Sequence, residues 1–463
     1  METPLQPSRF LERGAALLLA VVAVAVLTAL AVDLAYDTQV RLRIAGNARD
    51  QLRAEALAQS AVNLSRLVLA FQAQLDQASN LSPLLAAAAA AMGTTSTQTT
   101  LPHPQLWSLV PVSSALTQTL FSEEGATAPK KSEGPVPASV PTASQGDFEG
   151  GFLATIEDEG QKINAQLDAR FTSGVLSAQV EALLRLTCDN KWDPLFDRTD
   201  ADGQRYSRSD LLVHLRDWVL SDPGGSVLTV SFPAGNCSFI VPSKPFDTGF
   251  SDKNFPYQRG SDRYFAKGAR LDSVEELSLV AGVNDPFLAA FGPELTVYLP
   301  IEAAMNVNTD DPTQQLRLAQ AMADPAALAE LSDPHFQEAF HKALSQIRMG
   351  GFLTITPSQF AGVLQELKVP LRSDLSSTLS KAYTDKSVVF RIRALGKAGD
   401  VTAEVEAVVS YDPRLSSQGT ALGGATSGTA TQAAPTAIAA AAAIAAAAQN
   451  QIDLGRLIHF REE

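Results

Sequence analysis

The stretch AALLLAVVAVAVLTALAV at residues 15–32 decides the fold, because its 18 residues carry no charged side chain. As an α-helix it is roughly 27 Å long, close to the hydrocarbon thickness of a bilayer. The basic residues Arg9 and Arg13 precede this stretch, and the acidic residues Asp33 and Asp37 follow it. Basic residues gather on the cytoplasmic side of membrane helices. The sequence therefore predicts one membrane span with a cytoplasmic N-terminus and an exported body.

Three kinds of N-terminal segment fit this span. In a cleaved secretory signal, the small residues at 29–31 would form the cleavage site. An uncleaved signal anchor has the same flanking charges. A prepilin-type leader is a short charged peptide that ends in glycine directly before the apolar helix, and Arg13 followed by Gly14 and Ala15 has this layout. These residues alone leave the three alternatives open.

The predicted helix continues beyond the membrane to about residue 80. Residues 33–77 contain no proline and no paired glycine, and apolar side chains recur there at helical spacing among Arg, Asp, Gln and Asn. We predict one long helix over residues 15–80, half in lipid and half against a folded body. A type IV pilin-like subunit has this layout, and so does a membrane anchor with a helical stalk.

The whole chain is acidic, which narrows the classes of function. Its 463 residues include 50 acidic and 36 basic side chains, a net charge of −14 that repels a phosphate backbone. Two cysteines and five histidines leave little material for a Cys/His metal cluster. The histidines have no nucleophile, paired-carboxylate or metal-ligand spacing around them. We therefore expect no nucleic-acid ligand, no catalytic residues and no enzymatic activity.

The rest of the sequence predicts an α+β fold. Apolar and polar residues alternate at 150–164, 386–412 and 455–461, which indicates a small antiparallel sheet. Residues 165–385 are predicted to be mostly helical, so a large helical domain is inserted into the sheet. Two further stretches, 86–145 and 416–450, are rich in small residues, with one short apolar patch at 106–112, and both are predicted to be mobile surface segments.

The helical insert contains a possible helix-hairpin-helix. Residues 271–283 have the form of a helix, a hairpin with Gly282 and the start of a second helix, and residues 306–309 (NVNT) are typical of the opening of such a unit. Hairpin amides of this motif can grip a phosphate backbone, or the motif can serve as a packing unit. Glu275, Glu276 and Asp285 surround the hairpin, which favours packing.

Two further groups of side chains are candidates for covalent or metal chemistry. Cys188 and Cys237 can form a disulfide in an oxidising compartment, or they are two buried thiols. Asp197, Asp200 and Asp202 form an acidic turn that can donate oxygens to calcium, or it is a solvated turn. The turn is not an EF-hand, since arginine and serine occupy the first and twelfth positions of the loop.

Taken in order, several segments resemble the type II secretion minor pseudopilin K family, also called general secretion pathway protein K. These segments are 13–19 (RGAALLL), 34–37 (LAYD), 151–160 (GFLATIEDEG), 162–164 (KIN), 210–218, 271–283, 306–309, 390–394 (FRIRA) and 405–409 (VEAVV). The resemblance covers most of the chain outside the two low-complexity stretches. It implies a body whose inserted helical domain consists of SAM-like units, here about 165–300 and 301–385.

The resemblance also implies a role. Prepilin peptidase would remove residues 1–14 by cutting between Gly14 and Ala15, and the new N-terminus would be methylated. The subunit would join other minor pseudopilins and the major pseudopilin at the tip of a periplasmic pseudopilus. It would meet the inner-membrane assembly platform, the secretin and secreted cargo. Calcium is known in this family, although the acidic turn does not match its ligands.

One position departs from the general prepilin pattern. Leu19 stands where most pilins have a glutamate, as is common in the K family. The resemblance places the chain in the bacterial inner membrane, with its body in the periplasm. The alternative function is a membrane-tethered helix-hairpin-helix protein that binds DNA or a protein partner.

Overall fold

The structure is a computed structural model, and it describes most of the chain outside the low-complexity stretches. The described residues are 9–80, 104–109, 112–114, 143–145, 148–168, 170–197, 199, 203–233, 235, 237–259, 263–301, 303–412 and 454–462. The α-helices are Arg9–Asn80 (α1), Leu106–Leu109 (α2), Ser173–Thr187 (α3), Asp193–Phe196 (α4), Arg208–Val219 (α5), Asp285–Phe291 (α6), Pro312–Met322 (α7), Leu328–Leu331 (α8), Pro334–Ile347 (α9), Pro357–Glu366 (α10) and Leu375–Ala382 (α11). The strands are Val112–Ser113 (β1), Ala143–Gln145 (β2), Phe148–Asp158 (β3), Ile163–Asn164 (β4), Gly224–Leu228 (β5), Phe246–Asp252 (β6), Leu295–Thr296 (β7), Met305–Asn306 (β8), Tyr383–Thr384 (β9), Val389–Ala398 (β10), Val401–Ser410 (β11) and Arg456–Glu462 (β12).

The N-terminal helix α1 is one continuous element of 72 residues, about 108 Å long at 1.5 Å per residue. Residues 17–39 of this helix are exposed, whereas Ala54, Ala58, Ala61 and Leu69 in its second half are fully buried. Helix α1 starts within the predicted leader, because residues 9–14 are already helical. The predicted leader boundary is therefore not a boundary of secondary structure.

The central sheet is antiparallel, with the strand order β1-β3-β10-β11-β12 and with β2 paired to β3. Strands β10 and β11 form a hairpin around Gly399, whose φ of +57° suits a tight turn. The α+β fold, with a long N-terminal apolar helix and a small antiparallel sheet, is confirmed. One part of the predicted sheet is wrong: β4 pairs in parallel with β7 of the insert instead of joining the central sheet.

The two faces of the sheet have different partners. Ile392, Val405 and Ala407 are buried in one hydrophobic cluster with α1. The opposite face meets the helical insert, and Val408 belongs to the core of that insert. The His459 ring of β12 lies 5.6 Å from the Tyr298 ring of the insert. The sheet therefore lies between the second half of α1 and the insert.

Gly396 in β10 permits a very close approach of α1 to the sheet. A Cβ atom at this position would lie 2.7 Å from the backbone nitrogen of Ala58 and would overlap the carbonyl oxygen of Ala54. The small side chains of α1 and this glycine together bring the helix and the strand into backbone contact.

We expect Gly396→Ala to lower the free energy of unfolding by about 1–3 kcal/mol, because the added methyl group forces α1 away from the sheet. The measurement is urea unfolding of the detergent-solubilised chain, followed by tryptophan fluorescence. Gly362→Ala in α10 is the matched control, since a Cβ there meets nothing within 4 Å. An equally stable Gly396→Ala variant would contradict the close contact.

The helical insert, residues 165–385, has one continuous core. Leu184 and Leu277 from its first part and Phe340 and Phe360 from its second part belong to the same buried cluster. The two predicted units, 165–300 and 301–385, are therefore not separate hydrophobic bodies. The ribbon of β5 and β6 and the helix α11 were not predicted, because neither segment has a long apolar period.

Parts of the predicted 86–145 insertion are built into the fold. Strand β1 pairs with β3, and Trp107 of α2 makes an edge-to-face contact with Phe390 of β10, with ring centroids 5.7 Å apart. The amide of Leu106 donates to the side chain of Gln72 on α1, at 2.7 Å. The prediction of a mobile surface segment is wrong for these residues. The second low-complexity stretch, 416–450, lies outside the described residues.

Candidate functional site

The apolar start of α1 has no packing partner in the body. Leu19 and Leu27 are 70% and 65% exposed, and the other large apolar residues from Leu17 to Val32 are exposed as well. A helix satisfies its own backbone hydrogen bonds, so it can enter lipid. Within the described residues, one helix is long and apolar enough to cross a membrane, and it is α1.

Apolar exposure on α1 continues past the predicted bilayer span. Leu42 and Ile44 are 74% and 63% exposed. At about 100° per residue they lie on nearly opposite sides of the helix. The body covers neither of them, so this part of α1 presents apolar surface in more than one direction. A single lipid-facing or body-facing stripe does not include both side chains, and Arg41 and Arg43 stand beside them.

A buried ion cluster joins the sheet to the insert. Glu159, fully buried just after β3, accepts hydrogen bonds from Lys162 Nζ at 2.7 Å and from Arg391 Nε at 2.8 Å. The Thr296 hydroxyl of β7 donates to its second oxygen. Burial by itself would raise the pKa of Glu159, but Lys162 and Arg391 outweigh burial and lower it. Arg391 also binds Glu406 of β11 at 2.9 Å. The cluster therefore connects three strands of the sheet with the insert.

Asp158 forms a second network beside this cluster. Its carboxylate accepts hydrogen bonds from Ser387 Oγ at 2.5 Å, from Asn306 Nδ2 at 3.0 Å and from the amide of Gly160 at 2.7 Å. Burial raises the pKa of Asp158 to about 6, although these hydrogen bonds act in the opposite direction. Asn306 belongs to the insert, so Asp158 also lies at the junction of the two parts.

We expect Asp158 to make the body more stable as the pH falls from 7 to 5. The pKa of Asp158 in the folded state lies above its value in the unfolded state. The contribution of Asp158 to the free energy of unfolding is therefore complete below about pH 4 and is lost as the pH rises through 6. The whole contribution is about 3 kcal/mol. The measurement is urea unfolding of wild type and Asp158→Asn at pH 7 and pH 5. Because His214 and His341 have lowered pKa values and act in the opposite direction, the difference between the two proteins is the quantity compared.

The matched control for this comparison is Asp400→Asn, which removes an exposed carboxyl group from the β10–β11 turn. The stability difference between wild type and Asp158→Asn should become larger at pH 5 in favour of wild type. A difference that is the same at both pH values would show that the Asp158 carboxyl group does not titrate at the junction.

The predicted helix-hairpin-helix is a packing unit in the structure. Its first arm, Glu275–Leu279, is a 3₁₀ helix, and only its second arm, α6, is an α-helix. Gly282 has a φ of +91° and lies against the Tyr206 ring. The amide of Ala281 donates to the Tyr257 hydroxyl at 3.4 Å, and its carbonyl lies 2.9 Å from Nδ1 of His214. The amide and carbonyl of Ala281 therefore already have partners within the protein, and this amide is of the kind that would bind a phosphate in a DNA-binding hairpin.

Residues 306–309, predicted to open a second unit, do not cap a helix. Helix α7 is capped by Asp311, whose side chain accepts from the amide of Thr313, and not by residues 306–309. The Asn308 side chain instead accepts from the amide of Ile355 at 2.8 Å and donates to its carbonyl at 3.0 Å. Residues 306–309 therefore hold the insert together at the junction with the sheet.

Cys188 and Cys237 are joined by a disulfide in the structure. Cys188 caps the C-terminus of α3, and Cys237 lies in the connection between β5 and β6. Phe239 of the same connection is buried beneath the guanidinium group of Arg185, 5.0 Å from the ring centroid. The bond thus ties the β5–β6 ribbon to the helical core.

The acidic turn offers one described candidate ligand. Asp197 forms an ion pair with Arg205, so its carboxylate is already engaged. Asp200 and Asp202 lie outside the described residues. The calcium site stays a prediction.

The two residues at the centre of the junction, Glu159 and Arg391, were not predicted from the sequence. Both lie in segments on which the family resemblance was based, but their partnership spans 232 residues of chain. The available signal was a charged residue between the apolar Phe390 and Ile392 in a strand predicted to be buried. Gly14 and Ala15 lie in the helical backbone of α1, and the predicted cleavage between them is untested.

Comparisons with known proteins give a similarity among solved structures. No family model matches the sequence, and no curated protein matches it. Among solved structures, the chain is similar to a chain of the GspK-GspI-GspJ complex from the type 2 secretion system of enterotoxigenic Escherichia coli. The sequence identity is 15% and the TM-score is 0.35, and the match covers 56% of this chain and 75% of that chain. The function is therefore inferred from the chain's own sequence and structure.

Proposed function

We propose that this protein is a minor pseudopilin of a type II protein secretion system, a structural subunit at the tip of the periplasmic pseudopilus. The observation that carries the proposal is the division of α1 into two halves. Its second half packs on an antiparallel sheet, while its first half and the region around Leu42 and Ile44 present apolar surface in several directions. In a pilus-like assembly, neighbouring helices cover such a surface and the membrane holds the subunit beforehand.

The position of Leu19 supports a place at the tip. If cleavage follows Gly14, Leu19 is the fifth residue of the mature chain. Most pilins have a glutamate there, which neutralises the terminal amine of the preceding subunit. A subunit at the tip has no subunit ahead of it, and an unpaired carboxylate in lipid would only be destabilising. Leucine at this position fits a first subunit better than an internal one.

The helical insert supports a role at an exposed end. It covers the face of the sheet opposite α1, so it does not obstruct the helix that neighbouring subunits would contact. We propose that its SAM-like helical units face partner proteins, such as the secretin or exported cargo, while α1 contacts other pseudopilins. In this role the body acts through its shape and contacts, and it needs no catalytic group.

The test is the N-terminus of the protein extracted from membranes of cells that contain an active prepilin peptidase. We expect a chain that starts at a methylated Ala15, and a Gly14→Leu variant that keeps its leader. A chain that starts at Met1 would indicate an uncleaved anchor. A chain that starts directly after Ala31 would indicate a secretory signal. Either of these two results would refute the proposal.

The alternative, a membrane-tethered protein that binds DNA through its hairpin, finds no support in the geometry. The backbone around Gly282 contacts or hydrogen-bonds the side chains of Tyr206, Tyr257 and His214. Acidic side chains surround this hairpin. Salt-dependent binding of duplex DNA by the detergent-solubilised chain would reverse this judgement.

A further inference from the structure

The last strand of the sheet, β12, has an open edge. It pairs with β11 on one side, and no strand in the described part of the chain pairs with its other side. An edge strand presents backbone N–H and C=O groups that can pair with a strand from another chain. The seven residues of β12 contain neither proline nor lysine, and the charged side chains that can also oppose such pairing, Arg456, Arg461 and Glu462, stand at the two ends of the strand.

The side chains of β12 add exposed apolar surface beside this open edge. Leu457, Ile458 and Phe460 are each about two-fifths exposed, so both faces of the strand carry accessible apolar surface. Phe460 lies on the face of α1, opposite Ala407 of β11. His459, on the other face, lies against Tyr298 of the insert. An added strand could therefore place side chains against apolar surface on both faces.

A groove runs beside β12 on the side of the insert. Its volume is about 750 Å³, within the usual range for ligand-binding clefts. Residues of β12 form one wall, and Tyr298, Pro300 and Ile301 contribute to the other. A strand added to the edge of β12 would direct every second side chain toward this groove, because side chains alternate along a strand.

The charged residues of the groove indicate which side chains a bound segment would place there. Arg456 has no hydrogen bond or ion pair with any described residue, and Arg270 reaches only the carbonyl oxygen of Leu299, at 2.6 Å. Asp272 is 89% exposed and forms an ion pair with Lys267 at 2.7 Å, and Asp412 is buried. Arg456 is the exposed cation of the groove without a partner among the described residues, so the end of the groove beside Arg456 attracts an acidic group.

We propose that the open edge of β12 binds an extended segment of a partner protein by β-strand addition. Main-chain hydrogen bonds to β12 hold the segment, apolar side chains contact Leu457 and Phe460 on the face of α1, and an acidic side chain lies beside Arg456 on the face of the groove. This edge would bind such a segment whether or not the protein is a pseudopilin, because it uses neither the leader nor α1.

The test measures the fluorescence anisotropy of labelled peptides with the detergent-solubilised full chain. The first peptide has nine residues that alternate between valine and glutamate. The second has the same sequence with alternate backbone amides N-methylated, so that it keeps its charge but cannot pair as a strand. We expect the N-methylated peptide to bind at least about tenfold more weakly, a loss of about 1.4 kcal/mol. A peptide with lysine in place of glutamate should bind no better than the N-methylated one.

Two variants complete the test. Arg456→Glu should weaken binding of the first peptide about tenfold, since it reverses the accessible charge. Arg263→Glu makes the same charge change at another exposed position and should change binding less than about twofold. Equal binding of the plain and N-methylated peptides would overturn the proposal, because it would indicate simple charge attraction. Equal binding by wild type and Arg456→Glu would also overturn it.

Discussion

Arg391→Met is expected to lower the free energy of unfolding by about 2–4 kcal/mol, because it removes one of the two cations that compensate a fully buried charge. Glu159 is 0% exposed and receives the guanidinium of Arg391 at 2.8 Å. In the variant, Lys162 remains as the only cation on Glu159, and Glu406 also loses a partner. Methionine keeps much of the packing volume, so the loss reports the broken charge cluster. Urea unfolding at pH 7 measures it.

Arg393→Met is the matched control, since it removes the same charge two residues along the same strand. Its side chain is 45% exposed, and its ion pairs with Glu157 and Glu406 are longer, at 3.6 and 3.3 Å. Exposed ion pairs contribute about 0–1 kcal/mol, so we expect a loss of this size. The double variant Glu159→Gln/Arg391→Met should recover part of the stability by removing the orphaned charge. Equal losses for Arg391→Met and Arg393→Met would show that the cluster is not buried as described.

Removal of the disulfide by Cys188→Ser/Cys237→Ser is expected to lower the free energy of unfolding by about 4 kcal/mol. The bond joins residues 49 positions apart, so it removes much conformational freedom from the unfolded chain. It also attaches the β5–β6 ribbon to the end of α3. The measurement is urea unfolding with and without a reducing agent.

Three results should agree if the bond forms and stabilises the insert. Wild type under reducing conditions should unfold like the double variant, and the reducing agent should not affect that variant. The single variant Cys188→Ser should be destabilised as much as the double variant. The intact mass of wild type, alkylated without reduction, should show no added label. A labelled wild-type protein, or a double variant as stable as wild type, would contradict this prediction.

Elements whose residues are neighbours in the chain could largely be predicted from the sequence. The apolar run at 15–32 predicts a membrane-length helix, because the backbone of such a helix is satisfied within itself whatever surrounds it. The alternation on both sides of Gly399 predicts the β10–β11 hairpin for a similar reason, since the turn and the strands are adjacent in the chain. The prediction failed where a short segment takes its structure from a distant partner. Strand β4 joins the insert through β7, and β1 lies on β3 despite its low-complexity surroundings.

The long apolar helix, the central hairpin and the acidic balance follow from the sequence alone, because periodicity and charge are properties of neighbouring residues. The tertiary structure adds that Gly396 lies beneath α1, that Glu159 meets Arg391 across 232 residues, and that the hairpin at Gly282 packs against tyrosines. Each of these depends on which distant surfaces are buried against each other. Burial changes the free energy of a charge or a methyl group by several kcal/mol, and a one-dimensional pattern does not record it.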